Sequence, residues 1–153
     1  MSVTALRRGL AAACLLACVS APAEASAASK HDPVEASIVS AINQARASYG
    51  LPALRTSSGM ARAADAHSKT MLRHNTMSHG AFGSRVRKYV RVKKVGENLA
   101  WMSQCDANGV VQMWLNSAPH RRVMLSRSFR RVGVGKRASS NTCFVTADFG
   151  TAK

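Results

Sequence analysis

The chain has 153 residues, with 22 Lys and Arg against 7 Asp and Glu, a formal charge of +15, and 46% hydrophobic residues. That length and apolar share support one globular domain and exclude a disordered polyelectrolyte. The charge favours anionic partners, and no apolar run is long enough to span a bilayer as a stable anchor.

The N-terminal segment reads as a secretory signal peptide over residues 1–27. Arg7 and Arg8 form a cationic start, and LAAACLLACV at 10–19 is an apolar run too short for a stable membrane span. Small-residue cleavage sites follow, ending at Ala23 and Ala27. A second reading uses Leu15, Leu16, Ala17 and Cys18 as a bacterial lipobox, which would leave Cys18 as a lipidated first residue. Cleavage removes Arg7, Arg8 and Glu24, leaving 20 basic and 6 acidic residues, a charge of +14. A secreted or periplasmic protein with that field would meet anionic lipid, lipopolysaccharide or acidic polysaccharide; nucleic acid is the least natural partner there. Nothing in the pattern calls for more than a monomer.

After a polar lead-in at 28–33, the domain is expected over 34–153. Ile38, Ile42 and Ala45 recur at helical spacing, and Gly50 and Pro52 end that helix. Ser57 and Ser58 are candidate caps for a second helix to His74, with small residues Ala61, Ala64 and Ser68 on one face. A loop is expected over 75–83. Residues 84–94, SRVRKYVRVKK, suit either a helix or an exposed strand. A short strand or turn is expected from Asn98. A third helix follows Gly109, with Val110, Met113 and Trp114 inward, and Pro119 opens a helical turn to Leu125. Trp101 and Trp114 are both expected in the core. Two alternating strands, from Val132 and from Cys143, close the chain around a turn at 138–141. Helices followed by strands, without a βαβ repeat, argue for an α+β layered domain.

Cys105 and Cys143 are the two cysteines beyond the leader. In an oxidising compartment their simplest state is a disulfide, which would stabilise the fold by roughly 4 kcal/mol in the chain-entropy model. Chemistry-bearing residues are few. His31 lies in the lead-in, where water solvates it, and His67 and His74 share a helix face. His79 and His120 lie in a loop and at a helix start, where scaffolds place working groups. Glu97, a scarce acid in the apolar stretch VGENLAW, falls between them in sequence. Two His and one Glu have the composition of an open zinc site, but equally of a hydrogen-bonded network that pins loops to a core. No nucleophile elbow, HExxH or phosphate-binding loop is present.

Five motifs follow one another: INQARASYGLPAL at 42–54, AHSKTMLRHNTMSH at 66–79, VGENLAW at 95–101, MWLNSAPHRRVML at 113–125, and the closing VGVG and DFG at 132–135 and 148–150. In this order they resemble the CAP superfamily, also called the SCP or pathogenesis-related-1 family, in its short bacterial secreted form. The resemblance implies a three-layer α-β-α sandwich with a small antiparallel sheet. It also implies a cleft lined by His79, Glu97 and His120, with Asn98 pinning a turn beside it. A carboxylate there would raise the imidazole pKa values and hold the rings in place. The sequence departs from the family at two places. The second glutamate that many eukaryotic members carry after the tryptophan is absent, since Leu115, Asn116 and Ser117 follow Trp114. SAPH also replaces SPGH before the second histidine.

Three functions fit these readings. The first is a secreted binding module whose basic surface, Arg85, Arg87, Lys88, Arg91, Lys93 and Lys94, takes lipid or an anionic envelope component. The second is a zinc-dependent, peptidase-like hydrolase using His79, His120 and Glu97. The third is a structural envelope protein without a ligand. The sequence leaves catalysis open and weighs against it.

Overall fold

The computed structural model describes residues 32–151 besides Met1. The leader with its Cys18 and cleavage sites, and His31, lie outside the described residues. The elements run α1 (Pro33–Ser48), β1 (Arg55–Thr56), α2 (Ser58–His74), α3 (Phe82–Tyr89), β2 (Val95–Met102), α4 (Ala107–Asn116), α5 (Ala118–Met124), β3 (Arg131–Ser139) and β4 (Thr142–Gly150). The strands form one sheet in the order β1-β3-β4-β2. Its three long strands are antiparallel, and the two-residue β1 adds a parallel edge that the sequence did not signal. None of the described helices is long and apolar enough to cross a membrane.

The sheet is covered on both faces, which makes the domain a three-layer α-β-α sandwich. β4 shows the reason. Cys143, Val145, Ala147 and Phe149 alternate with Phe144, Thr146 and Asp148, and all seven are buried. The first set faces α1 and α4 in an apolar core with Ile38, Ile42, Val110, Trp114, Met124, Val132 and Val134. The second set faces α2. On that side Gly133 and Gly135 of β3 present no side chain, so α2 lies directly on the strand. A Cβ on Gly135 would stand 2.1 Å from the Asp65 nitrogen, and one on Gly133 would stand 2.1 Å from the Ala61 nitrogen. Ser68 of α2 uses this closeness to donate to the Gly135 carbonyl at 2.8 Å and to bond Thr146 at 2.9 Å.

Helix ends follow from local chemistry. Asp32 caps α1 through the Val34 amide, with Pro33 in the first turn, and Ser57 caps α2 through the Met60 amide. Asn75 ends α2 in the left-handed conformation, φ +46°. Asp106 caps α4, so Gly109 lies inside that helix rather than ahead of it. Residues 82–89 resolve as helix, with extended chain after them. The Asn43 side chain donates to the Leu54 carbonyl (3.1 Å) and accepts from its amide (2.8 Å). Buried Arg46 donates to the carbonyls of Pro52, Met124 and Ser126. These two residues tie the end of α1 to the loop after it and to α5. Cys105 and Cys143 form the disulfide, with Cα atoms 5.4 Å apart.

Two apolar expectations fail. Met113 is exposed, and Val111 takes its place in the core beside Val110 and Trp114. Trp101 is 56% exposed. It lies on the sheet face that α2 covers. The last apolar cover there is the Met71, Leu72, Leu99 and Phe144 cluster, and α2 stops at Asn75 before reaching Trp101.

Gly135→Ala is expected to destabilise the domain by about 2 kcal/mol or more, because the methyl meets helix backbone rather than a movable side chain. A urea midpoint unchanged from the parent protein would contradict this account of the α2–β3 contact.

Candidate functional site: a buried carboxylate pair on β2 and β4

Register creates the site. Glu97 of β2 pairs with Asp148 of β4, so two acids on adjacent strands point to the same sheet face, toward α2 and α3. Neither side chain is exposed. The cation between them is Arg85 of α3. Its guanidinium is ion-paired with Glu97 Oε2, and its Nη2 lies 3.7 Å from Asp148 Oδ1. Sequence grouped Arg85 with the basic surface, but its side chain is only 17% exposed. The helical phase explains this: Arg85 adjoins the fully buried Val86 on the inward side of α3, while Arg87 and Lys88 point out.

The other oxygen of Glu97 accepts from His79 Nδ1–H at 2.8 Å. His79 stands in the loop between α2 and α3, and two contacts place that loop. His67 Nε2–H donates to the Ser78 carbonyl at 2.7 Å, and Arg85 donates to the His79 carbonyl at 3.3 Å. The His79 side chain is 52% exposed. His67 thus positions the loop, while His74, on the same helix, is exposed.

Two fully buried acids face one largely buried arginine, so one negative charge would have no buried counter-charge. A proton removes it. Burial pushes Asp148 up to about 8, and the neighbouring Glu97 charge pushes the same way. Burial pushes Glu97 up to about 7 against the pull of Arg85. No described donor hydrogen-bonds either Asp148 oxygen, so the proton belongs with Asp148, and Glu97 keeps Arg85 and His79.

His120 has hydrogen-bond partners of its own. Its Nδ1 bonds Ser117 Oγ at 2.9 Å, and its carbonyl accepts from Asn98 Nδ2 at 2.9 Å. Asn98 follows Glu97 on β2 and therefore points to the opposite sheet face. Among the described residues no hydrogen bond joins His120 to Glu97. Burial first, and the His79 charge second, lower the His120 pKa, opposite to the rise expected beside a carboxylate. Ser117 and His120 form a hydroxyl–imidazole pair, but among the described residues no acid orients that ring.

In the zinc reading His79 and His120 would be the ligands, and Glu97 is not free to join them. Among the described residues no three His, Cys, Asp or Glu side chains converge as a metal set. The Glu97 oxygens are already bound, one by a guanidinium and one by an imidazole. Asp148 is the site residue that sequence reasoning missed. The signal was available, because an acid scarce enough to question at position 97 is equally scarce inside an apolar closing strand.

The three-layer sandwich is a fold shared with known proteins. A family model described as the cysteine-rich secretory protein family, CAP, matches residues 39–149, and the chain belongs to that family. It is 32% identical over 107 residues to the Bacillus subtilis "Uncharacterized membrane protein YlbC", covering 66% of this chain and 31% of that protein. It is 30% identical over 116 residues to the Bacillus subtilis "Uncharacterized protein YkwD", covering 72% and 45%. The chain thus spans less than half the length of either relative. An SCP-domain extracellular protein from Bacillus anthracis superposes with a TM-score of 0.70 at 31% identity, over 78% of this chain and 40% of that one.

Asp148→Asn tests the shared proton. Both acids hold a proton more tightly when folded than when unfolded, where carboxyls titrate near about 4. Their contribution to stability is therefore full at low pH and is lost as pH rises from about 4 through about 8. The stability of Asp148→Asn relative to the parent should rise between about pH 5 and about pH 8 in thermal unfolding. A constant difference across that window would contradict a proton on Asp148.

Proposed function

We propose that this protein is a secreted binding module that holds an anionic component of the cell envelope through its basic surface. One observation carries the reading. Arg87, Lys88, Arg91, Lys93 and Lys94 are all exposed within eight consecutive residues, and among the described residues none has a carboxylate within ion-pair distance. A run of uncompensated cations on one edge of the domain creates a local positive potential suited to a polyanion. The acid cluster beneath it supports the same reading. Its charges are satisfied internally, so it serves to fix α3 and the His79 loop against the sheet. The extracellular description of the Bacillus anthracis protein supports export, with the leader at 1–27 removed and the domain occupying 34–153.

The test is retention on vesicles containing anionic lipid and on lipopolysaccharide. Raising salt from about 0.1 M to about 1 M shrinks the screening length from about 10 Å to about 3 Å. Binding should fall roughly tenfold or more over that range, and Lys88→Glu/Lys93→Glu should weaken it at low salt. Binding that is indifferent to salt and to both reversals would sink the reading.

A further inference from the structure

The chain contains no acid between Ala107 and Ala147, and all six acids of the described residues are engaged elsewhere. Asp32 pairs with Lys136, Asp65 with Arg137, and Glu97 and Asp148 with Arg85. Glu35 accepts from the Lys136 amide, and Asp106 caps α4. The acid-free stretch includes Arg121, Arg122, Arg127, Arg130 and Arg131 around α5 and the start of β3. A second concentration of positive charge therefore lies away from the α3 surface.

This concentration has a cleft. Tyr49, Ala118, Arg121, Arg122, Leu125 and Ser126 line a depression of about 490 Å³ between the end of α1 and α5. The depression is open to solvent, so a bound group would rest on it rather than be enclosed. Its walls are held by the buried Arg46, which joins α1 to the Met124 and Ser126 carbonyls at 2.8 and 3.1 Å. Among the described residues Arg46 has no carboxylate partner and one of its terminal nitrogens is unbonded, so a further buried positive charge stands behind the Ser126 wall. Arg121 is itself oriented by a hydrogen bond to the Leu115 carbonyl, while Arg122 is exposed. Tyr49 stands 55% exposed, a large aromatic surface on a depression that two arginines also line.

We propose that this cleft binds a hexose unit carrying a phosphate or carboxylate, as found in an acidic envelope polysaccharide. The guanidinium groups suit a planar or tetrahedral oxyanion, which they can grip through two N–H groups each. The Tyr49 ring supplies an apolar face with a polar tip, matching a sugar ring that is apolar on its C–H face and hydroxylated at its edge. An acyl chain would find no apolar tunnel here, only Leu125 and Ala118 among polar walls. The assignment rests on the binding-module reading and names the headgroup chemistry that such a module would recognise.

The experiment is a chemical-shift titration of the disulfide-bonded protein with four probes: a hexose 6-phosphate, a hexuronate trimer, the unmodified hexose and inorganic phosphate. One or both anionic sugars should bind saturably and at least several-fold more tightly than phosphate or plain hexose, with shifts at Tyr49 and Arg122. Binding by the phosphate sugar or by the hexuronate identifies which source of the oxyanion the cleft prefers. Tyr49→Ala and Arg122→Glu, both at exposed positions, should each weaken binding roughly tenfold or more, and Lys88→Glu/Lys93→Glu should leave it unchanged. Inorganic phosphate binding as tightly as the sugars, or Arg122→Glu binding like the parent, would overturn the proposal. If no probe binds while salt-sensitive retention on anionic vesicles persists, this cleft assignment fails and the binding-module reading stands. If both are lost, both fail.

Discussion

Glu97 and Asp148 face each other across β2 and β4 with neither side chain open to water, and a single guanidinium serves both. Much of the architecture on that side of the sheet follows from this constraint. An unpaired carboxylate in a dry interior is prohibitive, so Arg85 must reach in. Arg85 can reach in only if α3 lies across the edge of the sheet beside α2. Once there, the same guanidinium also holds the His79 carbonyl, and the loop between the two helices acquires a fixed path over Glu97. One cation thus sets the position of a helix, a loop and an imidazole.

The sheet makes the pairing possible. Close approach of α2 to β3, through Gly133 and Gly135, leaves a thin layer on that face in which small and polar side chains meet: Ser68 with Thr146, Glu97 with Asp148. The opposite face is thick and apolar and carries Trp114, Phe129 and Phe149. Strand alternation sorts the two chemistries, because successive residues of β4 enter opposite layers. The disulfide anchors the start of β4 to the segment leading into α4.

Much of this fold was legible in the sequence, because helical spacing, cap residues and alternating strands are local signals. Ser57, Pro119 and the Gly50–Pro52 stop acted where their chemistry placed them. What escaped depends on neighbours distant in sequence. Arg85 resembles every other cation in SRVRKYVRVKK, and only the packing of α3 separates it from Arg87 and Lys88. Asp148 was visible as a lone acid in an apolar strand, but its meaning needed the β2–β4 register. Trp101 was expected inside because tryptophan usually is; the covering helix ends too early. His120 shares a motif with its neighbours but bonds Ser117 and Asn98 rather than Glu97. The Asn and Arg of the first helix motif were legible as a pattern, while their work, bonding Leu54 and three carbonyls, appears only in three dimensions.

The chemistry that results is inward-looking at the acid pair and outward-looking at the cations. A carboxylate already held by a guanidinium and an imidazole is a poor metal ligand, whereas unpaired arginines and lysines on the rim are ready for anions. The claim on which this division depends is that Arg85 neutralises Glu97. A double-mutant cycle of Arg85→Met and Glu97→Gln, read by equilibrium unfolding at neutral pH, measures it most directly. The account predicts that Arg85→Met alone is destabilising by about 3 kcal/mol, and that adding Glu97→Gln recovers much of the loss because no buried charge is left unpaired. A near-neutral Arg85→Met, or two effects that simply add, would contradict it.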